Sequence, residues 1–420
     1  MSHPLDDLVR AQKRGEWLGL PSICSAHPWV LKVAMHGTGP LLIESTCNQV
    51  NQFGGYTSMT PSDFAAFVKK IASENGFPIE RLLLGGDHLG PSPWQVEPAV
   101  SAMKKASGMV CSYVRAGFTK IHLDASMRLA DDPPGTLETQ TSARRTAELA
   151  RIAEASLLDP AAAPRYVIGT EVPLPGGARG PTSVSVTSVE AARATLECMQ
   201  AAFMELGLRS AWERVIALVV QPGVEFGDDF VLDYDPKLAH TLAVFSEGTP
   251  FVFEAHSTDY QRRLNLRNLV RDHFAILKVG PALTYAYREA VFSLAEIECE
   301  LFGSGQRSEL VAVLEQVMLR HPQHWQDHYH GTPDQLAFAR KFSRSDRIRY
   351  YWPLPEVQAA LGKLFSNLEG VDIPMSLLSK VAPRLVNQIQ TGRNLNHPAD
   401  LIDASIQAVL DDYQVACTSR

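Results

Sequence analysis

The sequence predicts an α/β protein, a (β/α)8 TIM barrel followed by a helical C-terminal extension. Three observations lead to this fold class. Eight short apolar runs are typical of buried strands, helical stretches separate most of them, and no run is followed by a Gly-x-Gly-x-x-Gly turn. Strands that alternate with helices form parallel sheets, and eight such units within roughly 280 residues fit a closed barrel. A doubly wound open sheet is the competing fold.

Each predicted strand is a short, mainly apolar run that ends at polar residues or glycine. In chain order the strands are Ser22–Ser25, Leu41–Glu44, Leu82–Leu84, Lys120–Leu123, Tyr166–Gly169, Val215–Val220, Phe251–Phe253 and Ala275–Leu277. After the third strand, Gly85 and Gly86 let the backbone turn tightly before Asp87 and His88.

The predicted helices carry recognisable start signals and apolar faces. Thr60 is a good N-cap and Pro61 suits the first helical position of the helix that follows the second strand. Its apolar residues recur at helical spacing, at Phe64, Phe67, Val68 and Ile71. Further helical segments are predicted at Met1–Gly19, Trp94–Ala116, Leu137–Ala155, Val189–Leu206 and Pro236–Phe245, and around Ala290, Leu294, Ile297 and Leu301.

The alternation of strands and helices stops after Phe302, which places the predicted barrel domain at residues 1–303 and a helical extension at 304–420. The helical pattern of that extension begins with an apolar face at Leu310, Val313, Leu314 and Val317.

Composition limits the class of protein. Of 420 residues, 45% are hydrophobic and 20% charged, and the net charge is −7 with no basic cluster, which argues against nucleic acid as a partner. The six cysteines are scattered without a Cys-x-x-Cys pair, as expected for reduced thiols. The first residues lack the apolar core of a signal peptide, and no apolar run approaches the roughly 20 residues of a membrane span. We therefore expect a cytoplasmic protein without a membrane partner.

Residues able to do chemistry follow nearly every predicted strand. They are Glu44, Asp87, His88, Asp124, Glu171, Gln221 or Glu225, Glu254, His256 and Lys278. Because the carboxyl ends of barrel strands meet at one mouth, where barrel enzymes have their active sites, this pattern favours an enzyme over a binding module. His88 and His256 near carboxylates indicate a divalent metal site.

Several of these polar residues also have a purely structural interpretation. Glu44, Glu254 or Asp124 is alternatively a buried partner of Lys278. His122 lies inside a strand and is interpreted as a packed core histidine. The loose cluster of His321, His324, His328 and His330 lies in polar sequence and is interpreted as surface.

Long motifs along the chain resemble the GatZ/KbaZ family, whose members are described as D-tagatose-1,6-bisphosphate aldolase accessory subunits and also labelled tagatose-6-phosphate kinases. The resemblance runs from about residue 14 to the C-terminus. The motifs that carry it are Cys24–Pro28, Asn48–Thr57, Gly85–Pro91, Lys120–Met127, Ile168–Pro173, Val219–Phe226, Glu254–Gln261, Ala275–Leu283 and Ser345–Pro353. That family is similar in turn to class II aldolases, which are zinc-dependent (β/α)8 enzymes.

The resemblance implies roles for matching residues. His88 and His256 would bind a divalent metal, Zn²⁺ or another ion, and Asp87 would handle the proton of the C4 hydroxyl, with Asp124 and Glu171 as further catalytic residues. The relatives' other zinc histidine, after the sixth strand, is missing, and Gln221 and Glu225 lie there instead. Glu171 or Glu225 is the candidate third ligand. The candidate substrate-binding residues are Asn48, Gln49, Ser126, Gln221, Asp259, Lys278, Arg347 and Arg349.

The resemblance implies two activities of different classes. Stand-alone members resemble 4-epimerases that interconvert D-tagatose 6-phosphate and D-fructose 6-phosphate, so the substrate would be a phosphorylated ketohexose. The alternative is a non-catalytic subunit that stabilises a class II tagatose-bisphosphate aldolase. A homo-oligomer is also compatible. A kinase is disfavoured because the chain has no Gly-x-x-x-x-Gly-Lys-Ser/Thr loop.

The segment Ser345–Pro353 concentrates two arginines and three large aromatic residues. A docking patch accounts for most of it. The sequence also suggests a lid, in which Arg347 or Arg349 binds the sugar phosphate as a bidentate cation.

Overall fold

The computed structural model describes residues 3–169, 184–383 and 397–418, and it confirms the predicted fold class. Eight parallel strands close into a barrel in which each strand pairs with its neighbour in sequence and the last pairs with the first. The strands are β1 (Leu20–Cys24), β2 (Leu41–Thr46), β3 (Leu82–Leu89), β4 (Lys120–Leu123), β5 (Arg165–Gly169), β6 (Val215–Val219), β7 (Val252–Ala255) and β8 (Phe274–Val279). Two short strands, Glu225–Phe226 and Val231–Leu232, lie outside the barrel sheet.

All eight predicted strands are present, but β3 is longer than predicted. It continues to Leu89, so Asp87 and His88 lie within the strand and not in a turn after it. The glycines before them have a different role from the predicted tight turn. A side chain at Gly85 would meet Glu44 Oε1 at 2.5 Å, so the missing Cβ leaves space for a buried carboxylate.

The amino end of the barrel is apolar and closed. Leu5 and Leu8 of the first helix, α1 (Pro4–Lys13), are 0% and 3% exposed and belong to one buried cluster with side chains from the first two residues of five strands. Those five residues are Leu20, Leu42, Leu83, Ile216 and Val252. Apolar packing at this end leaves the carboxyl end of the barrel for polar groups.

Helices follow most strands, as predicted. They are α2 (Pro28–Ala34), α3 (Pro61–Glu74), α4 (Ala99–Arg115), α5 (Thr139–Ala155), α6 (Val189–Glu205), α7 (Arg209–Trp212), α8 (Pro236–Glu247), α9 (Arg263–Arg271) and α10 (Pro281–Leu301). Thr60 caps α3 as predicted, because its side chain accepts a hydrogen bond from the backbone N–H of Asp63.

The chain forms two compact units. The first contains residues up to Glu225, then Val231–Val279, and again the residues from Asp412 onward; the second contains Phe226–Phe230 and Gly280–Asp411. This division begins before α10, whereas the sequence placed the domain boundary at residue 303. In the first unit, the backbone N–H of Gly19 donates to the carbonyl of Cys417 at 2.8 Å, and Tyr413 donates to the carbonyl of Thr258.

The second unit contains helices and no strand among its described residues after 280. After α10 they are α11 (Leu310–Arg320), α12 (Pro333–Phe342), α13 (Pro355–Leu368), α14 (Met375–Val381) and the first part of α15 (Pro398–Cys417). Leu310, Leu314 and Val317 are buried and Val313 is half-buried, so the predicted apolar face of α11 is confirmed.

Two further expectations concern the whole chain. All six cysteines are free thiols, as predicted. None of the helices within residues 3–169, 184–383 and 397–418 combines the length and apolar character needed to cross a bilayer.

Candidate functional site

A β-bulge in β3 aims two reactive side chains at one place. Gly86 pairs with Ile121 and Leu89 pairs with Leu123, so two residues, Asp87 and His88, lie opposite the single residue His122 of β4. His88 has a φ of 49°, an uncommon backbone value for a residue with a side chain. Such bulges are found next to active sites because they redirect side chains.

Glycine at position 90 is required by the close approach of β3 and β4. A Cβ there would lie 1.6 Å from the carbonyl oxygen of Asp124. The bulge is therefore held in place by a backbone contact that no larger residue permits.

His88 is oriented by Asp124. Its Nδ1 lies 2.8 Å from Asp124 Oδ2, and Asp124 Oδ1 accepts from the backbone N–H and hydroxyl of Ser126. Burial by itself raises the pKa of Asp124, but the hydrogen bond and charge of His88 outweigh it and lower the pKa. The carboxylate therefore accepts from Nδ1–H, so in the neutral ring, the form that binds a metal, the lone pair lies on Nε2.

His122 lies in the site and is not the packed core histidine that the sequence suggested. Its Nε2 lies 2.8 Å from the carbonyl of Gly169, which only accepts, and its Nδ1 lies 2.9 Å from Asp87 Oδ1. Burial works against the charged ring, but the hydrogen bond and charge of Asp87 raise the pKa of His122. The backbone N–H of His88 also lies 3.2 Å from His122 Nδ1, so the ring is held at both nitrogens and orients Asp87.

Asp87 is fully buried and contacts cations on both oxygens. Lys278 Nζ makes an ion pair with Oδ2, and His122 makes a hydrogen bond with Oδ1. Burial raises the pKa of Asp87, but the charges of His88 and Lys278 and the His122 hydrogen bond hold it well below its usual range. Burial also opposes the charge on Lys278, yet Asp87 raises the lysine pKa. A protonated Lys278 is an electrostatic group and not a Schiff-base nucleophile.

A second set of buried charges lies one layer below. Lys120 Nζ lies 2.5 Å from Glu44 Oε1 and 2.6 Å from Glu254 Oε2, and all three side chains are inaccessible to solvent. The strand register explains the first contact, because Glu44, Gly85 and Lys120 lie opposite one another on adjacent strands. Burial raises the pKa of Glu44 despite the opposing charge of Lys120.

This layer also supports His256. Its Nε2 lies 3.0 Å from Glu254 Oε1, within reach of a hydrogen bond that would place the ring lone pair on Nδ1. Burial, followed by the charge of Lys278, lowers the pKa of His256 well below its ordinary value, so the ring is neutral, as a metal ligand must be. The sequence left Glu44, Glu254 or Asp124 open as partners of Lys278; the structure pairs Glu44 and Glu254 with Lys120, and Asp87 with Lys278.

The residues fit a divalent metal. Asp87, His88, His122 and His256 each offer one ligand atom, and these atoms lie within 4.8 Å of one another. His88 and His256 thus meet the limit of about 6 Å for two histidines on one ion. The neutral nitrogens and carboxylate oxygen suit zinc or a similar ion. Since both nitrogens of His122 face other groups, it orients the site without binding the ion.

The other candidate residues are distributed differently. Glu225 is buried but is not in that four-residue group, and Glu171 lies outside the described residues. Gln49 and Gln221 accept hydrogen bonds from nearby backbone N–H groups, which shapes their loops. Asn48 is exposed, and Asp259 is buried.

Ser257 is a neighbour of His256 that the sequence analysis did not select. Its φ is 50°, and its buried hydroxyl has no hydrogen-bond partner among the described residues. A hydroxyl held in this way can hydrogen-bond a polar ligand.

The arginines predicted to bind phosphate lie in the second unit. Arg347 Nη1 donates to the carbonyl of His324 at 2.9 Å, and Arg349 Nη2 donates to the Tyr350 hydroxyl at 2.8 Å. His324 stacks on Tyr350 with ring centroids 4.7 Å apart, so part of the predicted surface histidine cluster packs against this segment.

Comparisons with known proteins agree with the motifs. The family described as D-tagatose-1,6-bisphosphate aldolase subunit GatZ/KbaZ-like matches residues 5–418. Relatives from Salmonella newport and Klebsiella pneumoniae, both named D-tagatose-1,6-bisphosphate aldolase subunit GatZ, are each 49% identical, over 99% of this chain and 99% and 100% of their own length. A crystal structure described as a probable tagatose 6 phosphate kinase from Sinorhizobium meliloti 1021 is 47% identical, with a TM-score of 0.88 over 95% of this chain and all of that chain.

Proposed function

The chain belongs to the GatZ/KbaZ-like family, and we propose that it is a metal-dependent epimerase that interconverts D-tagatose 6-phosphate and D-fructose 6-phosphate. The observation that supports this proposal is the buried group of Asp87, His88, His122 and His256 at the carboxyl ends of the barrel strands. A subunit that only supported another protein would not need buried charges converging there, which cost free energy to desolvate.

The two sugars differ in configuration at C4, and the C4–H bond is not acidic. The proposed route breaks the C3–C4 bond: its electron pair passes to the C2 carbonyl to give an enediolate, and the C4 hydroxyl loses its proton to give an aldehyde. The aldehyde turns to present its other face, the enediolate adds back, and the proton returns to the C4 oxygen. The route needs a proton acceptor at C4 and positive charge at the C2 oxygen.

Residues of this chain can supply both. Asp87 is ionised and is the candidate acceptor for the C4 proton, with His122 holding its carboxylate in place. His88 and His256 would hold the divalent cation, which supplies Lewis-acid polarisation of the carbonyl when bound. Lys278 adds a positive charge beside Asp87, and the Ser257 hydroxyl is available to a sugar hydroxyl.

The direct test uses the purified protein and D-tagatose 6-phosphate. The protein is stripped with a chelator, resupplied with Zn²⁺, Mn²⁺ or Mg²⁺, and assayed for D-fructose 6-phosphate. We expect conversion that depends on the ion and is lost in Asp87→Asn. Conversion that is absent with every ion, in a protein that is folded by circular dichroism, would reject the epimerase.

The second candidate function is a subunit that stabilises a class II D-tagatose-1,6-bisphosphate aldolase, and it is favoured by the names of two relatives that are 49% identical to this chain. Mixing this protein with such a catalytic subunit tests it. If the role is only structural, Asp87→Asn should extend the aldolase's half-life as well as the unaltered protein does. The kinase label of the Sinorhizobium structure is not adopted, because the chain lacks a phosphate-cradling glycine loop.

Three roles suggested by the sequence remain part of this proposal. Glu171 would assist proton transfer, Glu225 would complete the metal site, and Arg347 or Arg349 would bind the 6-phosphate as planar, bidentate donors.

A further inference from the structure

We propose that the Lys278 ammonium and the divalent cation compete for the same carboxylate oxygen, Asp87 Oδ2. Binding of the cation therefore releases Lys278 from its ion pair with Asp87. The inference rests on the proposed metal-dependent function and concerns the regulation of that site. It assigns Lys278 the role of an internal counter-cation that holds the site in a resting state.

The geometry that carries the inference is centred on one carboxylate oxygen. Lys278 Nζ contacts Asp87 Oδ2, and the same oxygen lies 3.8 Å from His88 Nε2, the nitrogen that carries the lone pair. Two ligand atoms on one ion with bonds of about 2.1 Å lie about 3.0–3.4 Å apart. Oδ2 and Nε2 therefore need to approach by only a few tenths of an ångström to share an ion. An ammonium nitrogen in direct contact with Oδ2 repels that ion and occupies space beside it.

The other oxygen of Asp87 is already engaged. Oδ1 lies 2.9 Å from His122 Nδ1, and His122 is fixed in turn by the carbonyl of Gly169. Oδ1 also lies 3.8 Å from His256 Nε2, but that nitrogen faces Glu254 Oε1 at 3.0 Å, so we expect a cation that binds Asp87 together with His88 to use Oδ2. Lys278 has to withdraw when it does.

The two buried lysines of the barrel differ in their freedom to withdraw. Lys120 is inaccessible and is held between two glutamates at 2.5 and 2.6 Å. Lys278 is the penultimate residue of β8, its side chain is 11% exposed, and its ion pair is with Asp87. A flexible four-carbon stem at the end of a strand can move its ammonium by several ångströms without moving the backbone.

Withdrawal of Lys278 would also change what the lysine can do. While the ammonium contacts Oδ2, its charge is paired with Asp87. Once released, Lys278 can face the enediolate oxygen or another anionic group of the substrate, and Oδ1 of Asp87, held by His122, remains the candidate acceptor for the C4 proton. Cation binding thus replaces the ion pair by a bound cation and a lysine that is available to the substrate.

The test measures binding of Mn²⁺ and of Zn²⁺ alone, without substrate. Chelator-stripped wild type, Lys278→Met, Lys278→Gln and Lys278→Arg are titrated by calorimetry, and Mn²⁺ binding is checked by electron paramagnetic resonance. Lys105→Met is the matched control, because Lys105 is a partly exposed lysine paired with Glu97 at 2.5 Å away from the site. Thermal unfolding identifies any variant that does not fold, and the two neutral replacements guard against the failure of one.

Removal of the competing charge should tighten Mn²⁺ and Zn²⁺ binding by about tenfold or more in Lys278→Met and Lys278→Gln. Lys278→Arg keeps the charge and should stay near wild type, as should Lys105→Met. Epimerase activity should fall in both neutral variants despite their tighter binding. Equal or weaker metal binding in folded neutral variants would overturn the inference alone. If neither wild type nor variants bind an ion, the proposed metal chemistry fails and this inference fails with it.

Discussion

Asparagine at position 124 should move the proton of His88 to the wrong nitrogen. In the structure, Asp124 Oδ1 accepts from the backbone N–H of Ser126 at 3.0 Å and from its hydroxyl at 2.6 Å, while Oδ2 lies 2.8 Å from His88 Nδ1. A backbone N–H only donates, so the amide oxygen of an asparagine must take the Oδ1 position. The NH₂ group then faces His88 Nδ1 and donates to it. This forces the proton to Nε2, where the lone pair for a metal is needed.

The expected magnitude follows from the role of such hydrogen bonds. Loss of a carboxylate that orients a metal-binding histidine costs about 10- to 100-fold in affinity, which corresponds to about 1.4–2.7 kcal/mol. The fold should survive, because the amide keeps its hydrogen bonds to Ser126.

The assay compares metal dissociation constants for wild type and Asp124→Asn, and ¹⁵N chemical shifts of selectively labelled histidine report which ring nitrogen of His88 is protonated. Asp132→Asn is the matched control, since Asp132 binds Arg145 at 2.6 and 2.8 Å away from the site. Wild-type affinity in Asp124→Asn, or an unchanged Nδ1–H tautomer, would refute the reasoning.

Three further predictions follow from the same structure. His88→Ala should abolish metal-dependent conversion, while the circular dichroism spectrum and the melting temperature change little. The fold should persist because His88 lies at the carboxyl end of the barrel and outside its apolar cluster. A variant that fails to fold would contradict the prediction. Lys120→Met should lower the free energy of unfolding near neutral pH by about 3–5 kcal/mol in denaturant titrations, because it leaves buried carboxylates uncompensated. Because burial raises the pKa of Glu44, the folded state takes up protons more readily than the unfolded chain as the pH falls. The loss of unfolding free energy in Lys120→Met should therefore shrink on acidification. A loss that grows instead would count against Lys120 as the partner of the buried carboxylates. At least one of Arg347→Ala and Arg349→Ala should raise KM for D-tagatose 6-phosphate severalfold with unchanged metal content, and normal kinetics in both would exclude them as phosphate ligands.

The fold was predictable because its signals are local. Each strand is a short apolar run, and signals such as Thr60 and Pro61 lie next to the helix they start. The strand-end rule also selected Asp87, His88, His256 and Lys278, since residues at the carboxyl ends of barrel strands meet wherever their exact boundaries fall.

The partners within the site were not predictable in the same way. His122 was interpreted as core because it lies mid-strand, and only the bulge opposite it in β3 brings Asp87 and His88 to its ring. Lys120 is the first residue of β4, a position that indicates no chemistry in a linear sequence. The stagger of the strands places it level with Glu44. Register and bulges are set by pairing between distant segments, which the periodicity of one segment does not show.

The order in which the units occur along the chain has a consequence for biosynthesis. A ribosome delivers residues in sequence, and the barrel unit includes residues that come after nearly all of the second unit. The N–H of Gly19 can donate to the carbonyl of Cys417 only after Cys417 has been made, almost 400 residues later. The carbonyl of Thr258 likewise gains its hydrogen bond only after Tyr413 has been made. The barrel therefore cannot complete its contacts until residues 412–417 have been made, and the second unit has the opportunity to fold first. Stalled synthesis or proteolysis just before residue 412 would leave a barrel without its final segment, exposed to quality-control proteases although every strand is present.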